Sequence, residues 1–82
     1  MLPRDMSGDE LVRLLRRRYG YHVMRQRGSH MRLVSNVRGW DHHVSVPSHN
    51  PLKVGTLHSI LARVAAYLEI SQDELRRQLS EG

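Results

Sequence analysis

At 82 residues the chain has room for one small domain around a single core, so residues 1–82 are expected to form one unit. It has no cysteine, which excludes disulfides and thiolate metal sites, and neither a membrane-length apolar run nor a signal-peptide core, so a soluble cytoplasmic protein is expected. The net charge of +5 is lopsided: residues 1–38 carry nine arginines against Asp5, Asp9 and Glu10, while residues 39–82 carry four basic and five acidic groups. Such a bias favours a polyanion or an acidic protein as partner, although a solvated basic surface would give the same count.

Residues 1–6 read as a loose lead-in, with Pro3 discouraging regular structure. Ser7-Gly8-Asp9-Glu10 has the form of a capping box and opens a first helix over about 8–19. Leu11, Leu14 and Leu15 hold helical spacing, Val12 and Tyr19 widen the stripe, and Arg16, Arg17 and Arg18 complement the helix dipole at its far end. Gly20 is the stop signal.

The period then changes to two. Residues 21–27 suit a strand, with Tyr21, Val23 and Arg25 expected on one face. Gly28-Ser29 is a tight turn, 30–35 a second strand, Asn36-Val37-Arg38-Gly39 another turn, and 40–46 a third strand stopped by Pro47. Short turns imply an antiparallel meander. If Met31, Leu33, Val44 and Val46 meet the helices, alternation sends His30, Arg32, His43 and Ser45 to the opposite face.

After a loop at 48–51, Leu57, Ile60, Leu61, Val64, Ala65 and Leu68 predict a second helix over about 56–68, with Thr56 (or Gly55) as N-cap. Ser71-Gln72-Asp73-Glu74 is a second capping box, opening a C-terminal helical extension over 71–80 that carries Leu75 and Leu79. The expected fold class is α+β, α-β-β-β-α, a three-stranded antiparallel sheet with the helices on one face. Double-stranded-RNA-binding domains share this order, a likeness that says little about activity.

Six histidines without cysteine raise the question of zinc. His42 and His43 are adjacent on a strand and point to opposite faces, and His49 and His58 have no partner at i+4, so no metal site and no cofactor are expected. His30 differs in its setting. Gly28 permits a positive φ, Ser29 adds a hydroxyl, and Arg25, Arg27 and Arg32 lie within a few residues. Histidine exchanges a proton near neutral pH, and arginines bind and orient phosphate. Metal-free RNA cleavage needs a base for the ribose 2′-OH, an acid for the leaving oxygen and cations for the charge at phosphorus; one histidine with arginines could supply the base or the acid, and the cations. His43, on the same face by alternation, is a candidate second proton-transfer group. By spacing alone, Gly-Ser-His also serves as an ordinary hairpin.

Arg25-Gln26-Arg27-Gly28-Ser29-His30 resembles the Arg-x-x-Gly-Ser-His signature of the HicA (YcfA-like) toxins. Val44-Ser45-Val46-Pro47, then His49, then Gly55-Thr56-Leu57-His58-Ser59-Ile60-Leu61 resemble that family's second block, in the right order and spacing. The resemblance implies a double-stranded-RNA-binding-like fold and a metal-independent endoribonuclease that cleaves mRNA, with His30 catalytic and a HicB-type antitoxin as neutralising partner. With it, Arg25, Arg27, Ser29, Arg32 and His43 are expected to bind RNA and Gly28 to shape the turn; Gly55-Thr56-Leu57 fits a helix cap and core better. Two departures stand out: Leu33 occupies a position where the family often has an aromatic, and the chain continues past the second helix into 71–80. The alternative is a non-catalytic RNA-binding module of the same fold, which would need the arginines but not the imidazole.

Overall fold

A computed structural model describes Leu2 and residues 5–81. The elements run α1 (Gly8–Tyr19), β1 (His22–Arg27), β2 (His30–Ser35), β3 (His42–Pro47), α2 (Val54–Leu68) and α3 (Gln72–Glu81). The strands form one antiparallel sheet in the order β1-β2-β3. The α+β class and the α-β-β-β-α order with an added C-terminal helix are therefore as the sequence implies.

Local chemistry sets both ends of α1. The Ser7 hydroxyl accepts from the Glu10 amide at 3.1 Å, and the Glu10 carboxylate accepts from the Ser7 amide at 3.0 Å. The Ser7 amide and then its side chain hold the Glu10 carboxyl below its ordinary 4.5, so the cap weakens only as pH falls through that lowered value. The helix ends at Gly20 in the left-handed conformation. The Tyr21 amide turns back to the Leu15 carbonyl, so Tyr21 belongs to the helix stop and β1 begins one residue later than expected.

One core joins all layers. Leu11, Val12, Leu15 and Tyr19 of α1, Met31 and Leu33 of β2, Val44 and Val46 of β3, and Leu57, Ile60, Leu61, Val64 and Ala65 of α2 form a single buried cluster. Leu75 and Leu79 attach α3 to it. A helix of ten residues is marginal alone, but burying two leucines contributes roughly 3–6 kcal/mol, enough to hold it. At its start the Ser71 hydroxyl accepts from the Glu74 amide, while the Glu74 carboxylate is engaged by Arg77 and Gln78. Of the lead-in, Pro3 lies outside the described residues. Leu2 and Met6 are buried in the core cluster, and the Met6 carbonyl accepts from the Leu52 amide at 2.9 Å.

Two further boundaries move by two residues. α2 begins at Val54 with Lys53 as N-cap and no side-chain cap, so neither Thr56 nor Gly55 fills that role. Leu52, only 2% exposed and bonded to Met6, anchors the chain just before the helix and starts it early. β3 begins at His42 rather than Trp40, because the preceding residues stay in the turn. Asn36 donates to Asp41, and the Tyr67 hydroxyl accepts from the Arg38 amide while donating to the Trp40 carbonyl.

Behind that turn His42 stacks on Tyr67 with ring centroids 4.7 Å apart. Burial raises the Tyr21 phenol well above its ordinary range, so its hydroxyl keeps its proton, and it shares a hydrogen bond with His42 Nδ1 at 2.6 Å. Burial, with the positive charge of His43 and Arg63 adding to it, lowers the His42 pKa from its ordinary 6.5. As pH falls below 6.5 the unfolded chain takes this proton first, so stability present above 6.5 is lost toward the lowered folded value. Urea midpoints on either side of pH 6.5 are expected to show this loss, and His42→Gln is expected to flatten it. An unchanged slope in the variant would assign the loss to other groups.

Candidate nucleic-acid interface

Along β2, His30 pairs with Arg27 on one side and Pro47 on the other, and Arg32 with Arg25 and Ser45. The flanking Met31 and Leu33 are 5% and 0% exposed and face the helices. His30 and Arg32 are exposed, on the side of the sheet that the helices leave open. Gly28 reaches φ +54° in the turn before His30, a conformation that a β-carbon strains, and Gln26 closes the turn by donating to the Gly28 carbonyl.

Arg25 and Arg27 reach this face through an irregularity in β1. Val23 pairs with Leu33 but Arg25 pairs with Arg32, so two steps on β1 meet one step on β2 and Met24 is the extra residue. Val23 and Arg25 therefore lie on opposite faces, contrary to the expectation that Tyr21, Val23 and Arg25 share one. Unbroken alternation from Val23 would have turned both arginines toward the helices. The bulge turns them toward His30.

The result is a depression of about 150 Å³ lined by Arg25, Arg27, His30, Arg32 and Ser45. Three guanidiniums share it without an acidic residue, and among the described residues none of them has an ion pair. Like charges directly opposite each other, as Arg25 and Arg32 are, destabilise a sheet. A bound anion relieves that repulsion, and Arg presents the planar donor fork that fits a phosphate.

Ser29 sits in the turn, where its carbonyl accepts from the Ser48 amide at 2.6 Å; it is not among the residues lining the depression. His43 is not brought to His30 either. It pairs with Val34, four residues along β2 from His30, about 13 Å at roughly 3.3 Å per residue. The two imidazoles line different depressions.

His43 instead lines a larger groove of about 490 Å³ that shares Arg32 and Ser45 with the first depression and is closed by Gly55, Thr56, Ser59, Ile60 and Arg63 of α2. Leu57 is buried in the core as expected, but Gly55 and Thr56 face this groove. Thr56, Ser59 and Arg63 escape a search that follows only the apolar stripe of the helix. Their i, i+3, i+7 spacing is the signal that finds them, because it places three polar groups on one flank. Among the described residues no group of three or more His, Cys, Asp or Glu side chains is placed to hold a metal ion. No described helix is long and apolar enough to cross a membrane.

Comparisons with curated proteins and with solved structures give no match. The family model described as the HicA toxin of bacterial toxin-antitoxin matches residues 8–65. That span runs from the first residue of α1 to within three residues of the end of α2 and takes in every residue lining both depressions. The match covers well over half of the chain, and this protein belongs to the HicA toxin family of bacterial toxin–antitoxin systems.

Proposed function

We propose that this toxin is a metal-independent endoribonuclease that cleaves mRNA in the cytoplasm and is neutralised by a HicB-type antitoxin. The observation that carries the proposal is an exposed imidazole, His30, set among three arginines that have no acidic partner. In the reaction the ribose 2′-oxygen attacks phosphorus and the bond to the 5′-oxygen breaks, leaving a 2′,3′-cyclic phosphate and a free 5′-OH. His30 carries one of the two proton transfers and water the other. Arg25, Arg27 and Arg32 hold the phosphate and take up the charge that grows on its oxygens, the task a metal ion would otherwise perform. Gly28 and Ser29 shape the turn that presents the imidazole.

Induction in bacteria of the wild-type chain and of His30→Ala tests this reading. The wild type is expected to arrest growth with loss of bulk mRNA, and His30→Ala to do neither at equal protein level. Arrest by the variant would remove His30 from the mechanism and favour an RNA-binding module that acts by occupancy.

A further inference from the structure

The groove beyond Arg32 leads to a part of the surface that the cleavage chemistry does not use. It turns around the β3 edge, between Ser45 and the flank of α2, and reaches Arg63. A third depression shares His43 and Arg63 with the groove and ends at Trp40 and Tyr67. Trp40 is 55% exposed. It is nonetheless held in place. Its ring meets Tyr67 edge to face at 4.6 Å, and its carbonyl is fixed by the Tyr67 hydroxyl at 2.7 Å. A rigid aromatic face beside a guanidinium that has no ion pair among the described residues is the arrangement that takes an unpaired base by stacking.

We propose that these linked depressions form a track for single-stranded RNA, with backbone phosphates on Arg32 and Arg63 and a base stacked on Trp40. The inference rests on the RNA-cleaving reading for its ligand and extends it from one phosphate to a run of nucleotides. Thr56 and Ser59 add hydroxyl donors midway along the track. The occupant is single-stranded because stacking on Trp40 needs a base freed from its own neighbours. Continuity with the His30 pocket favours RNA over an acidic protein.

The test uses the full chain carrying His30→Ala, to keep RNA intact. Trp40 is the sole tryptophan, so its emission reports directly. A short single-stranded RNA is expected to quench that emission. In a labelled-RNA anisotropy assay Trp40→Leu, which keeps an apolar contact with Tyr67, is expected to weaken binding on the order of 5- to 150-fold, and Trp40→Tyr to restore most of it. Arg63→Gln is expected to reduce the slope of log affinity against log salt by about 0.7. RNA binding with unquenched Trp40 and unchanged affinity in Trp40→Leu and Arg63→Gln would overturn the track. Equal quenching by polyglutamate would reassign the surface to an acidic protein and overturn it as well. Cleavage by the otherwise wild-type chain is scored in parallel. Intact cleavage beside a failed track removes only the track, quenching without any cleavage removes the nuclease reading and leaves the track, and absence of both binding and cleavage removes both.

Discussion

The His30→Ala variant is expected to cleave RNA on the order of 10²- to 10⁴-fold more slowly than the wild type, the range that a positioned proton-transfer group contributes. Its fold is expected to be intact. His30 is exposed on the open face of the sheet, and among the described residues its side chain makes no hydrogen bond or ion pair. Stability should therefore stay within about 0.5 kcal/mol of wild type, the usual effect of a surface change. A large rate loss with an unchanged thermal midpoint separates a chemical role from a structural one. A rate within threefold or so of wild type would fall far below what proton transfer supplies.

Gly8→Ala is expected to have the opposite profile, destabilising the fold through a contact far from the reacting atoms. A β-carbon at Gly8 would stand 1.8 Å from the Pro47 carbonyl oxygen, 2.9 Å from the Pro47 carbonyl carbon and 3.1 Å from Ser48 Cα. All three are backbone atoms, so no side chain can swing aside. The Gly8 amide also donates to the His49 carbonyl at 2.9 Å, which clasps the first turn of α1 to the loop after β3. Overpacking of this kind is expected to destabilise by about 3 kcal/mol or more, lowering the Tm of a domain this size by roughly 12–24 °C. Gly55→Ala is the control. It lies in the first turn of α2 with nothing within 4 Å of its β-carbon position, so the same substitution should be neutral or stabilise by about 0.5–1 kcal/mol. Equal midpoints for the two variants would mean that α1 does not sit against Pro47.

What is legible in the sequence is what short-range chemistry decides. Ser7 and Glu10 stand three residues apart and satisfy each other, and Gly20 stops the helix they open. Alternation in β2 and β3 is likewise local, and it separates Met31 and Leu33 from His30 and Arg32. What escapes is decided between elements. The Met24 bulge is a property of the β1–β2 pairing, and its trace in the sequence is indirect: unbroken alternation would turn Arg25 and Arg27 toward the apolar face. The start of α2 is set by Leu52 docking near Met6, more than forty residues away, which overrides the cap preference of Thr56. Arg63 joins the candidate interface only because the β3 edge and the flank of α2 enclose one groove. Gly8 looks like a filler inside a capping box until Pro47 is placed over it.

These differences sharpen the chemistry. With His43 about 13 Å along the strand from His30, the cleft gathers one imidazole and three guanidiniums. Transesterification through the ribose 2′-oxygen suits that equipment, because the substrate brings its own nucleophile. The most direct measurement is cleavage of a defined single-stranded RNA in EDTA, with the product ends analysed, beside the same RNA carrying a 2′-deoxyribose at the mapped cleavage position. The expected result is cleavage undiminished by EDTA, ends bearing a 2′,3′-cyclic phosphate and a 5′-OH, no cut at the deoxy position, and none by His30→Ala. Cleavage that EDTA abolishes, that passes the deoxy position, or that His30→Ala performs at the wild-type rate would contradict it.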